Sequence, residues 1–417
     1  MSSTGGRPSP TPSTTESTKS LPSVVTSQAN EDSGKLRALL GILKNFIGVT
    51  DIAAVRFSLP TQLLEPLPNL EYWNYLDRPE TFKYVKGKPC KPYNSVLGEF
   101  FRCTWQVKDT CQPILGTARK KSIIDDSSTA DKPVTLSYLT EQTSHHPPVS
   151  AFWIDCPQKG IFARGYDQLS AKFTGTSIRV GPGNHNLGIF INLKNRGNEE
   201  YQLTHPLAHL GGLLRGSLTV TVADTCYVTC PKTGLKTILH YLEEGWLSKA
   251  QNRVVGAIYK YNPNADNITK LKDVPERDIV GRIEGCWKEK IFYTPTNDEK
   301  PEPVLLIDLD PLIPEAKTIP PEADQLPNES KRFWKDVTQA IVSKQYETGN
   351  KLKQDIEKRQ RDKAAERKEA SREWRPRFFT GAVTPVGRPD LTDDGRRAID
   401  GLGKGDYKLT ENEEYGA

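Results

Sequence analysis

From Phe100 to about Ile307 the chain alternates short runs of β-branched and aromatic residues with Gly, Pro and Asn turns. That is the pattern of strands joined by short connections. Val134–Leu139, Ala151–Ile154, Gly160–Tyr166, Leu218–Val222, Thr237–Tyr241 and Val254–Tyr261 read as strands. So many strands with short links predict an antiparallel sheet curled into a near-closed barrel. A barrel wide enough for a long apolar guest needs more than the smallest strand count. Helical spacing takes over on either side. Leu36, Leu39, Leu40, Leu43 and Ile47 form an apolar stripe, with Lys35, Arg37 and Lys44 largely off it. Ser33 is a candidate N-cap and Gly48 ends the run. A helix over 33–48 is too short to stand alone in water, so it must lie on something. After a Pro-rich stretch from Glu315 to Pro327, residues from Asn328 to Ile341 open one helix and 345–373 form a second, highly charged one. Pro376 cannot continue a helix, so Trp374–Phe379 closes the pattern.

The two ends of the chain differ from this middle. Residues 1–32 are rich in Ser, Thr and Pro and poor in large apolar residues, the composition of a disordered segment. Residues 380–417 are polar, with many Gly and charged residues, and read as a flexible tail. One α+β domain over 33–379 remains, with a helix at 33–48, a barrel over 100–307 and helices over 328–379. The net charge of +5 is compatible with anionic membrane surfaces. It is too weak to argue for nucleic acid, and no nucleic-acid motif occurs. The seven cysteines are odd in number and contain no Cys-x-x-Cys pair, against a zinc ribbon or a secreted disulfide scaffold. Reduced cytosolic thiols are the expectation. The N-terminus has no stretch of signal-peptide type, and no run approaches the ~18–20 apolar residues of a transmembrane helix. The expectation is a cytoplasmic monomer that meets membranes peripherally and reversibly. Asn267-Ile-Thr and Asn328-Glu-Ser match glycosylation sequons and read as chance in such a chain.

Three strings carry candidate chemistry. In Glu-Gln-Thr-Ser-His-His-Pro-Pro-Val-Ser, residues 141–150, His145 and His146 would point to opposite faces of a strand. Pro147 and Pro148 end such a strand, so the imidazoles can be presented together to an anionic group such as phosphate. A metal site is the rival, but no Cys or third His lies at matching spacing. A turn with incidental histidines is the plain alternative. In the second string, Lys91 to Glu99, Lys91 offers three donors and Asn94 can donate from its amide three residues on; a simple Pro/Asn turn fits equally. In the third, Lys353, Glu357 and Arg361 are spaced i, i+4, i+8 and share one helix face. Lys353 and Arg361 could hold phosphate with Glu357 orienting both, or the three could form an ordinary solvated face.

Taken together these strings resemble the oxysterol-binding protein family, from about Leu36 to Phe379. Glu141–Pro148 resembles its signature. Lys91–Glu99 resembles its Lys-Pro-x-Asn-Pro-x-Leu-Gly-Glu string, with Ser95 in place of the second proline. Lys353–Arg361 resembles its Lys-x-x-Ile-Glu-x-x-Gln-Arg helix. The resemblance implies a protein that shuttles lipids between membranes and needs no cofactor or metal. It implies a headgroup site for phosphatidylinositol 4-phosphate at Lys91, Asn94, His145, His146, Lys353, Glu357 and Arg361. The helix at 33–48 becomes a lid over a lipid tunnel, with Leu39 and Leu43 facing in. Phe57–Glu65 resembles the family's Leu-Pro-x-x-x-Leu stretch and brings Leu59 and Leu63 to the same tunnel. Trp73 follows, where short sterol-binding members carry a tryptophan, so the second lipid reads as a sterol, with phosphatidylserine as the alternative.

One departure stands out. Family members carry a helical segment before the Lys91 loop that this chain lacks, by roughly two dozen residues between 78 and 91, judged from the resemblance. Phe100 and Phe101 superficially resemble a two-phenylalanine adaptor motif, but they open the barrel and read as buried. A hydrolase with a histidine base would need a nucleophile elbow, and no Gly-x-Ser-x-Gly occurs. A lipid sensor without net transport is the third reading. The chain reads as a non-enzymatic, short family member made of the lipid-binding domain.

Overall fold

A computed structural model of the chain describes residues 34–35, 37–53, 59–72, 91–107, 133–212, 219–242, 252–297, 299–309 and 315–410. Two short parallel strands come first, β1 (Leu64–Pro68) and β2 (Lys91–Tyr93). A single 15-stranded sheet follows. It begins with β3 (Phe100–Val107), β4 (Val134–His145), β5 (Pro148–Cys156), β6 (Ile161–Asp167), β7 (Leu169–Phe173) and β8 (Ile178–Pro182). It continues through β9 (Ile189–Leu193), β10 (Glu199–Leu203), β11 (Leu207–Gly211), β12 (Thr219–Cys230) and β13 (Leu235–Tyr241). It ends with β14 (Arg253–Lys260), β15 (Ile279–Cys286), β16 (Lys290–Pro295) and β17 (Val304–Asp308).

The main path runs β17-β16-β15-β14-β13-β12-β10-β9-β6-β5-β4-β3. Its two ends do not pair, so hydrogen bonds leave the expected barrel open among the described residues. The β3 edge is instead covered by the segment that precedes the C-terminal helices. Thr104 and Thr318 exchange both backbone hydrogen bonds (2.9 and 2.8 Å), and Phe100 N–H donates to Asn328 C=O (3.2 Å). Covering an edge in this way removes a template for pairing with other chains. The sheet forks at β12. Its second half joins β10 and β13, while residues up to Ala223 pair with β11, which continues to β8 and β7 as a separate lobe.

The six expected strands correspond to β4, β5, β6, β12, β13 and β14, except that Gly160 and Tyr261 fall one residue outside β6 and β14 and Leu218 lies outside the described residues. β4 runs six residues past the expected Leu139, to His145. Its second half is polar yet buried, because its side chains find partners inside. Thr140 Oγ1 donates to Ala151 C=O (2.8 Å) and Ser150 Oγ to Gln142 Oε1 (2.7 Å). An apolar pattern cannot reveal such a strand.

Residues 37–43 form helix α1, which tightens into a 3-10 turn over Lys44–Phe46. A 3-10 turn advances by three residues rather than 3.6. Ile47 is thereby carried off the expected stripe and is 64% exposed. The helices that follow are α2 (Asn69–Tyr72), α3 (Ser330–Phe333), α4 (Lys335–Val342), α5 (Tyr346–Glu369) and α6 (Asp393–Lys404). α1 spans two bodies. Ala38, Leu39 and Ile42 pack on the cluster of Leu59, Trp334, Val337, Ile341 and Ile356. Leu39, Leu40, Leu43 and Phe46 pack on the β7–β8–β11 lobe through Phe173, Ile178 and Leu210.

The expected flexible tail needs correction. Residues 380–410 are part of the fold: α6 is capped by Thr392, whose Oγ1 accepts from Gly395 N–H (3.1 Å). Ala398 and Ile399 join the core of Phe100, Leu139, Val149, Tyr166 and Phe378. The helix is charged and holds three glycines, so only Ala398, Ile399 and Leu402 signal its buried face. Residues 1–33 and 411–417 lie outside the described residues. Ile399→Ala should cost about 2–5 kcal/mol, as for buried large-to-small changes, measured by denaturant unfolding. A cost near zero would mean that α6 is only loosely attached.

Candidate functional site

The paired histidines sit at the β4–β5 turn. β4 ends at His145 and β5 starts at Pro148, so the prolines form a tight hairpin rather than an exit from regular structure. The His146–Pro147 bond is cis. A register shift between Gln142 and Ser144 leaves Thr143 as an extra residue. Such a bulge re-aims the side chains beyond it. The rings of His145 and His146 come to 4.6 Å between centroids, tilted by 57°. Three hydrogen bonds hold the hairpin tip. Ser144 Oγ donates to Pro147 C=O (2.8 Å), Gln142 Nε2 to Ser144 C=O (2.5 Å) and Thr143 Oγ1 to Ala382 C=O (2.6 Å).

The Lys91 loop lies alongside. Gly98 N–H donates to Gln142 C=O (3.0 Å) and Gln142 N–H to Glu99 C=O (2.8 Å), three residues from His145. Lys91 Nζ donates to Asn94 Oδ1 at 2.6 Å. Asn94 therefore accepts from Lys91, and its exposed amide group can donate outward. Lys353 lies on α5, where it is buried and pairs with Glu357 (Nζ–Oε1 2.8 Å). The ammonium of Lys353 acts on Lys91. Burial and that like charge together lower the Lys91 pKa to about 8. Two cations 262 positions apart in the chain thus share one electrostatic site. Arg361 lies further along the same helix. It is exposed and, two turns beyond Lys353, is displaced about 12 Å along the helix axis. Glu357 holds Lys353 through this ion pair.

Buried carboxylates that the pattern of the sequence did not single out hold this arrangement. Glu99 is fully buried and accepts from Val96 N–H (3.0 Å), Ser330 Oγ (2.6 Å) and Trp334 Nε1 (3.0 Å). The Lys91 loop is thereby tied to α3 and to the start of α4. Tyr93 strengthens the tie through Thr338 (3.0 Å) and its ring contact with Trp334 (5.0 Å). Glu141 accepts from Arg377 N–H (2.8 Å) and Phe378 N–H (2.9 Å) behind the histidine hairpin. Burial pushes both carboxyl groups up to about 7 against the hydrogen bonds that pull them down. Arg102 and Glu329 form a third buried link (both bonds 3.2 Å), and burial outweighs the arginine in holding Glu329 above its ordinary value. The only signal for Glu99 and Glu141 was their place inside two recognised strings.

The tunnel assignments fare unevenly. Leu39 and Leu43 lie on α1, where Leu39 packs on both bodies and Leu43 on the β7–β8–β11 lobe. Leu59 and Leu63 are packed by protein, with Leu63 at 0% exposure among Tyr93, Trp334 and Ile356, so they are core beneath α1 rather than the wall of an open cavity. Trp73 lies outside the described residues, as does the segment from 73 to 90 where helical residues were expected to be missing. Phe100 and Phe101 are both fully buried.

The two carboxyl groups near 7 make a signed prediction. Between about pH 4.5 and 7 the folded chain retains protons at Glu99 and Glu141 that the unfolded chain has released. Their contribution to stability is complete below that window and is lost as pH rises through it. Glu99→Gln can still accept two N–H groups and can donate to Ser330, so it should stay folded and remove about half of that decline. Glu99→Ala leaves three buried donors without their partner and should cost about 3 kcal/mol or more. Urea unfolding at several pH values checks both. An unchanged slope in Glu99→Gln would show that Glu99 is not the titrating group.

The comparisons with known proteins bear on the whole chain. The family described as Oxysterol-binding protein matches residues 79–394. Oxysterol-binding protein-like protein 1 of Schizosaccharomyces pombe is 37% identical over 474 aligned positions, covering 89% of this chain and 91% of that protein. The alignment exceeds the 417 residues here, so the relative carries insertions that this chain lacks. Human oxysterol-binding protein-related protein 8 is 30% identical over 304 residues, which is 72% of this chain and 29% of that protein. Among solved structures, the Osh1 ORD domain in complex with ergosterol shares the fold with a TM-score of 0.57 at 18% identity, covering 89% of each chain. The Osh3 ORD in complex with PI(4)P from Saccharomyces cerevisiae gives 0.56 at 17% identity, covering 88% of this chain and 93% of that one. The chain belongs to the oxysterol-binding protein family.

Proposed function

We propose that this protein extracts single lipids from membranes and exchanges a sterol for phosphatidylinositol 4-phosphate. The observation that carries the reading is Lys91, whose pKa is lowered first by burial and then by the charge of Lys353 within electrostatic reach. Like charges held together are unfavourable until an anion lies between them. A phosphomonoester carries roughly −1.5 to −2 charge at pH 7, which suits two ammonium groups, the Asn94 amide and the two imidazoles. Charge-assisted bonds of this kind are about twice as strong as neutral ones. Two proteins of the same fold were solved with lipids, Osh1 with ergosterol and Osh3 with PI(4)P, which supports a fold able to hold either kind of lipid. No helix among the described residues is long and apolar enough to cross a membrane. The amphipathic α1 supplies a surface that can pack over a filled tunnel or meet the bilayer with its apolar face.

Three measurements test this reading. His145→Ala with His146→Ala should abolish extraction of phosphatidylinositol 4-phosphate from liposomes and affect sterol extraction less. Retained phosphoinositide extraction by the folded double variant would sink the assignment. Lys353→Ala should weaken phosphoinositide binding by about 1.5–3 kcal/mol, whereas the exposed Arg361→Ala should cost about 0–1 kcal/mol. Equal losses in competition binding would mean that Arg361 reaches the same phosphate. Amides of residues 37–46 should exchange hydrogen more slowly with ligand than without. Equal rates would make α1 permanent core and end its role as a lid.

A further inference from the structure

Ser95 lies inside the Lys91 loop and has the one property that the rest of the loop lacks. It is 5% exposed, and its hydroxyl is buried with no hydrogen-bond partner among the described residues. A buried hydroxyl left unpaired is costly, and native structures retain few of them. The surroundings do not let it swing to solvent. Two residues earlier Tyr93 is fixed to Thr338 and Trp334, and one residue later Val96 N–H is fixed to Glu99. Val96 packs in the same cluster as Ile356, less than one turn from Lys353 on α5. On the other side Asn94 is held by Lys91. Ser95 is therefore held, by its neighbours on both sides, in the loop whose Lys91 and Asn94 belong to the proposed phosphate site.

We propose that the Ser95 hydroxyl is a ligand donor of this site, reserved for an oxygen of a phosphorylated headgroup and uncovered when that group takes Lys91 from Asn94. This rests on the phosphoinositide reading above. The family string has proline at this position, and proline has no side-chain donor. The serine would add a contact to this chain's site and favour a phosphorylated ligand over a sterol, which carries no phosphate. The same feature makes a prediction of opposite signs. Removing the hydroxyl should relieve the ligand-free protein and weaken the complex.

The test compares Ser95→Ala and Ser95→Pro with the unaltered protein, and with Lys91→Ala as a control for the site itself. Binding is measured to liposomes with phosphatidylinositol 4-phosphate, to liposomes with phosphatidylinositol and to inorganic phosphate. Thermal unfolding is followed without ligand. The expected result is at least tenfold weaker binding of the 4-phosphate lipid by Ser95→Ala, with an unfolding temperature unchanged or higher. Weakened binding of inorganic phosphate as well would place the hydroxyl on the phosphate. An effect confined to the lipid would place it on the inositol ring, and either supports the donor role. Unchanged binding by Ser95→Ala while Lys91→Ala loses it would overturn the role of Ser95 and leave the site intact. A lower unfolding temperature with unchanged binding would make Ser95 structural. If Lys91→Ala also binds normally, the site reading fails instead. Ser95→Pro guards against a simple loss of loop order: it should bind no better than Ser95→Ala, and recovery of full affinity would refute the donor role.

Discussion

The Glu99 carboxylate gathers Val96 from the Lys91 loop, Ser330 from α3 and Trp334 from the start of α4 onto one buried group. Everything in the proposed site depends on that gathering. The C-terminal helices have no covalent reason to lie over the first strands, since Glu99 and Ser330 are 231 residues apart. Once Trp334 is held, α4 packs through Val337 and Ile341 on Leu59 and Leu63. α5 then follows: Thr61 N–H donates to Asn350 Oδ1 and Thr61 Oγ1 to Tyr346 C=O (both 2.9 Å). This brings Lys353 within electrostatic reach of Lys91. Glu141 does the same for the other side, fixing Arg377 and Phe378 behind the histidine hairpin.

These anchors are polar and buried, and a buried charge is costly unless its partners compensate. Both carboxyl groups sit near neutrality because desolvation exceeds the help of their donors. The same low-dielectric surroundings strengthen the repulsion between Lys91 and Lys353. The fold therefore holds Lys91 where burial, and next the charge of Lys353, disfavour its charged form. In the proposed site an anion offsets that penalty, so on this reading affinity for phosphate depends on the packing of the helices as well as on the residues that touch it. α1 completes the arrangement, since it lies on both the helices and the β7–β8–β11 lobe.

Much of this was legible in the chain. Strands with apolar alternation stood out, as did the stripe of α1. The histidine pair, Lys91 and Lys353 lay in strings unusual enough to point to phosphate. Other features were hidden for physical reasons. The second half of β4 is polar and buried, so no hydropathy pattern marks it. α6 shows only three apolar residues among charges and glycines. Helical spacing put Lys353 and Arg361 on one face, but a shared face extends along the axis, and only Lys353 reaches the buried end. The role of Glu99 depends on contacts across the whole chain, which spacing cannot convey. Leu59 and Leu63 read as tunnel residues because apolar residues of a wall and of a core look alike in sequence.

The central claim is that Lys91 and Lys353 form one strained cationic site that an anion relaxes. Its most direct test is the titration of the Lys91 ammonium, followed by NMR of labelled lysine with and without a short-chain phosphatidylinositol 4-phosphate. Without ligand Lys91 should titrate at about 8, and Lys353→Ala should raise that value. With ligand it should move back toward the ordinary lysine range near 10.4. A Lys91 that titrates in the ordinary range without ligand and does not respond to Lys353→Ala would contradict the account.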